Sequence, residues 1–335
     1  MQKKLITALQ YILFLGLGIF LVWWSIHKMD EKEWERCKEA LKSARYILII
    51  PVFLIISASH ISRAIRWKIL MKPMGYNPSF HNTFFAVMVG YLANLAFPRL
   101  GEVLKCTLLA RYEKVPADKL VGTILIERAV DVLCLLVVFI ITVIAQFDLI
   151  GQFAKETIQT NFLKGGWGIL IAKAGILLIF IAMFYLGARI IFKRYSNVGF
   201  IKKIKAVFEG VKTGLMSVSK MENKWAFIFH SVFIWCCYLG GTYLGFFATL
   251  GTEQLPVIAT FPVLAFASIG MVLTPGGIGA YPWFVKEVMI RYNIEEGIAN
   301  ANGLLQWMAQ CVIILVVGFV CLALLPYFNK KKATA

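Results

Sequence analysis

Long apolar runs, several of them near the roughly 20 residues that a helix needs to cross a bilayer, decide what this chain can fold into. Two places where such runs break decide how. Pro98-Arg99-Leu100-Gly101-Glu102 interrupts one apolar stretch, and Thr274-Pro275-Gly276-Gly277-Ile278-Gly279 interrupts another. Lipid hydrocarbon offers backbone N–H and C=O groups no partner, so non-helical chain at that depth is buried in protein or lines a wet cavity. Broken helices at matching positions of two halves are a sequence pointer to a transport site.

Of the 335 residues, 59% are hydrophobic and 16% charged, with a mean hydropathy of +0.74. These values point to an all-α polytopic membrane protein of one integral domain over 1–335; a β-barrel would show short alternating segments instead. The run at 5–24 follows Lys3 and Lys4. It is longer than a signal-peptide core and lacks a small-x-small cleavage pattern, so it reads as a retained helix. The net charge of +17 does not describe a nucleic-acid binder, because the basic residues collect in loops between apolar runs. Seven cysteines form no C-x-x-C pair and four histidines are scattered, so neither disulfides, a metal site nor a cofactor is expected.

Run lengths and basic loops give a topology. After a surface helix within 25–45, the run 46–61 ends in Arg63, Arg66, Lys68 and Lys72, which marks a cytoplasmic loop. The arms 83–97 and 103–110 flank the first break and are too short to cross separately, so they form a re-entrant hairpin from the cytoplasm. The runs 120–146, 168–192 and 225–250 cross. Segment 193–224, with eight basic residues against Glu209 and Glu222, is cytoplasmic and lies on the membrane surface. Arms 256–273 and 280–290 make a second hairpin from outside, although 256–273 is nearly long enough to span. Run 303–327 returns the chain to the cytoplasm. About six spanning helices and two broken hairpins thus form an inverted repeat, 1–146 and 167–327, with both termini in the cytoplasm of a bacterial inner membrane.

Four clusters carry chemistry. Glu127, Arg128 and Asp131 lie inside the 120–146 helix, Glu127 about 10 Å and Asp131 about 16 Å from its cytoplasmic end. Intramembrane charges are costly and face a bundle interior or a cavity. Glu127 and Asp131 share a face, so the set pairs internally or with basic residues elsewhere, as a structural brace or as part of a transport path. At the first break, Asn94, Arg99, Glu102 and Lys105 surround Pro98 and Gly101. A helix resuming near Gly101 would offer free N–H groups to a phosphate, unless this is an ordinary loop. At the second, Pro275, Gly276, Gly277 and Gly279 lack the context of a nucleotide loop and line a substrate path or a plain turn. Arg63 and Arg66 share a helix face, either snorkelling to the interface or holding an anionic headgroup.

The motifs R-A-x-R-W, N-x-x-F-P-R-x-G-E-x-x-K, E-R-x-x-D and P-G-G-x-G run in order from Arg63 to Gly279. In this set the chain resembles the lysylphosphatidylglycerol synthase transmembrane-domain family, the flippase-like domain of the multiple peptide resistance factors. The resemblance covers the chain end to end and implies a translocator of aminoacylated phosphatidylglycerol, with no soluble synthase domain expected after Tyr327. Two departures bear on substrate identity. Lys105 stands where the family usually has arginine, keeping charge but losing the bidentate fork. Tyr281 and Pro282 occupy positions after Gly279 where an acidic residue is usual.

The expectation is a lipid transporter for an anionic or amphiphilic lipid, a phospholipid or a polyprenyl-linked one, rather than an enzyme. The alternatives are a lipid-headgroup enzyme using Glu127, Asp131 and Glu102, or a non-transporting subunit of a lipid-modifying complex. Membrane lipid is the expected partner, with a homo-oligomer or a lipid-modifying enzyme compatible with the sequence.

Overall fold

The computed structural model describes residues 30–97, 100–146 and 222–329, with isolated positions 16, 19, 20, 23 and 27. Most of the expected helix at 5–24, the crossing at 168–192, nearly all of segment 193–224, and Pro98 and Arg99 lie outside the described residues. Within them the chain forms nine α-helices and no strand. They are α1 (Glu31–Lys42), α2 (Ile49–Met71), α3 (Phe80–Ala96), α4 (Leu100–Glu113), α5 (Ala117–Ala145), α6 (Lys224–Phe246), α7 (Thr260–Leu273), α8 (Ala280–Ile290) and α9 (Glu296–Asn329). Among the described residues four helical stretches are long and apolar enough to cross a membrane: Tyr46–Met74, Ala117–Ala145, Lys224–Phe246 and Glu296–Asn329.

Local rules set the ends. Asp30 caps α1 by accepting from the Glu33 N–H at 2.7 Å, with Glu31 and Glu33 in the first turn where the helix dipole favours them. α3 stops at Ala96, leaving Phe97 extended (φ −135°, ψ 115°), and α7 stops at Leu273, leaving Thr274 extended (φ −126°, ψ 154°). Both extended residues precede a proline, whose ring excludes the helical conformation from its neighbour. Several helices exceed the expected runs. α4 continues through Arg111, Tyr112 and Glu113, because polar residues favour helix as well as apolar ones do. Cys37 lies on α1, within the expected surface helix, and packs on Ala301 of α9; burial pushes its thiol pKa up.

The helices pair in an exchanged pattern. α2 lies antiparallel against α6, as the contacts Ser62–His230, Arg63–Tyr238 and Ile56–Gly241 record. α3 packs on α4 and α7 on α8; α3 also packs on α9, and α7 on α5. Each short-helix pair thus touches the last long helix of the other half, while α8 also packs extensively on α9 of its own half.

Both short-helix pairs close on glycine. The Gly101 Cα faces the Gly90 carbonyl so tightly that a Cβ would collide with it. A Cβ on Gly270 would lie 2.8 Å from the Tyr281 nitrogen. At the second break Gly276, Gly277 and Gly279 take φ of 59°, 74° and 71°, a region closed to most side chains. The two breaks also meet: a Cβ on Gly276 would lie 3.1 Å from the Leu95 side chain. Trp307 of α9 holds that turn by donating its indole N–H to the Gly276 carbonyl at 2.8 Å.

Candidate functional site

α2, α4 and α5 each carry polar residues on the face they turn inward, and the three faces converge. Arg63 donates to Glu127 at 3.0 Å and to Asp131 at 2.7 Å. Arg66 donates to Asp131 at 2.8 Å and lies 3.4 Å from Glu127. Lys105 reaches the other Glu127 oxygen at 2.8 Å and stands over the Trp67 ring, 4.4 Å from its centre. Three cations thus share two carboxylates inside the bundle. α6 completes the shell, with Tyr238 accepting from Arg63 and Ser231 from Arg66, both at 3.2 Å.

This geometry decides between the alternatives at two of the clusters. Arg63 and Arg66 do not snorkel to the interface: they are buried, because α5 brings carboxylates to their level and pairing inside outweighs the reach to water. Nor do Glu127 and Asp131 pair with their helix neighbour Arg128. That guanidinium binds Glu102 of α4 at 2.8 Å. The expectation at the first break is modified, because the Gly101 N–H at the start of α4 is not free for a phosphate. The Asn94 side chain accepts it at 2.8 Å across the break, an internal cap.

The two carboxylates differ in surroundings. The Glu127 side chain is 1% exposed and accepts from all three cations, whereas Asp131 is 14% exposed and borders open space. That space is a cavity of about 600 Å³. Arg63, Arg128, Asp131, Tyr91 and Tyr238 line its charged end, and mostly apolar residues of α2, α6, α7 and α9 line the rest, among them Val52, Ile56, Leu264, Met271 and Leu305, with Arg45, Thr242 and Gln306 at the far end. Its size lies within the roughly 300–1,000 Å³ of small-molecule sites. The lining also includes exposed Val272, Met308 and Val312, so the cavity opens on the surface where the long helices are apolar.

Asn94, Gly101, Glu102 and Lys105 line a separate crevice beside the first break, with Arg128 between it and the cavity. Tyr91 also borders both spaces, and Glu127 lines neither. Pro98 and Arg99 lie outside the described residues. Of the second break, Pro275 to Gly279, no residue lines the cavity; the turn stands behind Met271 and Tyr281, which do. The sequence reading missed Tyr91, Ser231, Trp235 and Tyr238. Such residues in apolar runs look like core, and only the packing of α6 and α3 on α2 brings Tyr238, Ser231 and Tyr91 to the charges.

A family described as the lysylphosphatidylglycerol synthase TM region matches residues 11–318. A UPF0104 membrane protein of Methanocaldococcus jannaschii is 22% identical over 313 residues, covering 86% of this chain and 85% of the relative. A UPF0104 membrane protein of Methanothermobacter thermautotrophicus is 23% identical over 287 residues, covering 80% and 81%. No solved structure matches. The apolar helices, the two glycine-closed breaks and the shared charge cluster all fall inside the matched span, and the chain belongs to the family of the lysylphosphatidylglycerol synthase transmembrane region.

Proposed function

We propose that this protein carries an anionic, chain-bearing lipid between the leaflets of the cytoplasmic membrane, acting as a carrier rather than an enzyme. The observation that supports the reading is the shape of the cavity's chemistry. A largely apolar trough open to the surface ends on buried Arg63 and on Asp131, with Arg128 beside them, the outline of an amphiphile with its headgroup inward. Buried ionisable groups beside such a trough are costly to keep and fit a substrate path better than a packing role alone.

The short helices fit the same reading. α7 with the helical turn before it, Val257–Leu273, and α8 extend only about 25 and 16 Å against a hydrocarbon core of roughly 30 Å. The two hairpins would therefore be re-entrant, entering from opposite sides and meeting where Leu95 touches Gly276. Single cysteines at Lys114 and Arg291, on a background without the exposed Cys236, should label from opposite sides; labelling from one side would overturn this topology.

The transport reading is tested in proteoliposomes carrying a fluorescent phosphatidylglycerol, scored by quencher-accessible signal. The unmodified chain should move the lipid. Ser268→Trp, which fills the trough from α7, should insert and fold but lose most of that movement. Movement at the unmodified rate would overturn the trough as the path.

A further inference from the structure

Asp131 holds a seat that suits a different anion. Its two oxygens accept from two different guanidinium groups, Oδ2 from Arg63 at 2.7 Å and Oδ1 from Arg66 at 2.8 Å. That is how arginine pairs grip the two free oxygens of a phosphodiester. Glu127, by contrast, is enclosed by its three cations and has no open side. One carboxylate builds the site and the other sits in its mouth.

The charges point the same way. Arg63, Arg66 and Lys105 against Glu127 and Asp131 leave three minus two, one positive charge, in a buried cluster. Removing Asp131 alone would leave two uncompensated positive charges, so one incoming phosphodiester restores the balance that Asp131 provides, and low dielectric strengthens its hold. The Nε atoms of Arg63 and Arg66 are also buried without a hydrogen-bond partner, so both guanidinium groups have donors in reserve. A displaced Asp131 has a place to go. Arg128, three residues earlier on the same helix, lines the same cavity.

We propose that Asp131 is an internal stand-in for an anionic phosphodiester headgroup, which displaces it from Arg63 and Arg66 as the lipid enters. This rests on the transport reading and adds a mechanism of selection to it. A headgroup without a negative phosphodiester cannot compete with the carboxylate and leaves the cluster closed. Lipid entry and the opening of the Asp131 contacts, which tie α5 to α2, thereby become one event.

The test is binding of dihexanoyl phosphatidylglycerol to the purified full chain in detergent, with dihexanoylglycerol and inorganic phosphate as the other probes. Removing the competitor should raise apparent affinity by the fraction of time the seat is filled. Asp131→Asn is therefore expected to bind dihexanoyl phosphatidylglycerol about tenfold more tightly, with affinity for dihexanoylglycerol unchanged. Unchanged or weaker binding would overturn the stand-in role while leaving the transport reading intact. Failure of the unmodified chain to bind either amphiphile would instead defeat the transport reading. Inorganic phosphate should bind far more weakly than the lipid probe; equal binding would make this a free-phosphate seat and overturn the headgroup assignment. Should Asp131→Asn not fold, the unmodified chain answers. Carbodiimide labelling of Asp131 should rise several-fold with dihexanoyl phosphatidylglycerol and not with dihexanoylglycerol, and no rise would overturn the proposal.

Discussion

The cavity has polar structures at both ends, and they are made differently. Near the C-terminal end of α2, five charged side chains from three helices share contacts, several bonds to each carboxylate. Near the C-terminal end of α6, the buried groups are neutral, with the half-exposed Arg45–Glu253 pair at the rim. Asn302 of α9 donates to the Gly245 carbonyl and to Thr249, both at 2.8 Å, and Gln306 donates to Asn302 at 2.7 Å. Thr249 and Thr252 lie 2.7 Å apart. The neutral end is a set of fixed, mutually satisfied partners. At the charged end the acceptors are interchangeable, one positive charge is left over, and one carboxylate faces open space. Neutral hydrogen bonds hold a helix in place at modest cost, whereas a shared ionic cluster can trade partners without leaving a charge alone.

Breaking one element of each end puts that contrast to measurement. The largest effect is expected from Glu127→Gln, which leaves three buried cations with a single carboxylate. Stability in a denaturant titration should fall by about 3–5 kcal/mol, the usual cost of stranding a buried charge. A loss under about 1 kcal/mol would mean that Asp131 can serve all three cations, and the distinction between the carboxylates would fail. Next comes the hairpin closure. Gly101→Ala drives a methyl group into the Gly90 carbonyl and should cost about 1–3 kcal/mol, read the same way. Gly270→Ala, whose new methyl meets the Tyr281 nitrogen at 2.8 Å, should cost less, and the reverse order would show that the two hairpins are not closed alike.

At the neutral end, Asn302→Ala removes a donor and leaves the Gly245 carbonyl and two hydroxyls to find other partners. About 1–2 kcal/mol is expected, with lipid movement per folded molecule unchanged. Loss of movement at full folding would make this end part of the path rather than a brace. The smallest effect should come from Arg45→Ala. Its pair with Glu253, 3.4 Å apart and nearly half exposed, should contribute under about 1 kcal/mol to the same titration.

Much of the architecture was legible because it follows from local rules. A proline forces the residue before it out of the helix, so Phe97 and Thr274 could be read as helix ends from Pro98 and Pro275 alone. The costly charges on α5 could be recognised by residue type and depth, whereas Arg63 and Arg66 read as interfacial until α2 is seen to run past them to Met71. The pairing of the two sets could not be read, because Arg63 and Asp131 lie 68 positions apart and only tertiary packing places them. The same holds for Tyr238, 175 positions from Arg63 and indistinguishable in the sequence from any other aromatic in an apolar run. The Asn94 cap on Gly101 was hidden for a different reason. The same asparagine reads equally well as a ligand and as an internal partner until the break is seen folded.

Every charge in the cluster lies between positions 63 and 131, which has a consequence for how the chain is made. Arg63 leaves the ribosome 68 residues before Asp131, at about 5–20 residues per second some 3 to 14 seconds earlier. For that interval the two arginines have no carboxylate, and a lone arginine in the bilayer centre is expensive. α2 would therefore be held at the interface or in the insertion machinery until α5 emerges and enter the membrane together with it. Ser231 and Tyr238 come later still, to a cluster whose ionic partners are already joined. The neutral end needs no such waiting, since Asn302 and the threonines it binds can enter the bilayer one helix at a time.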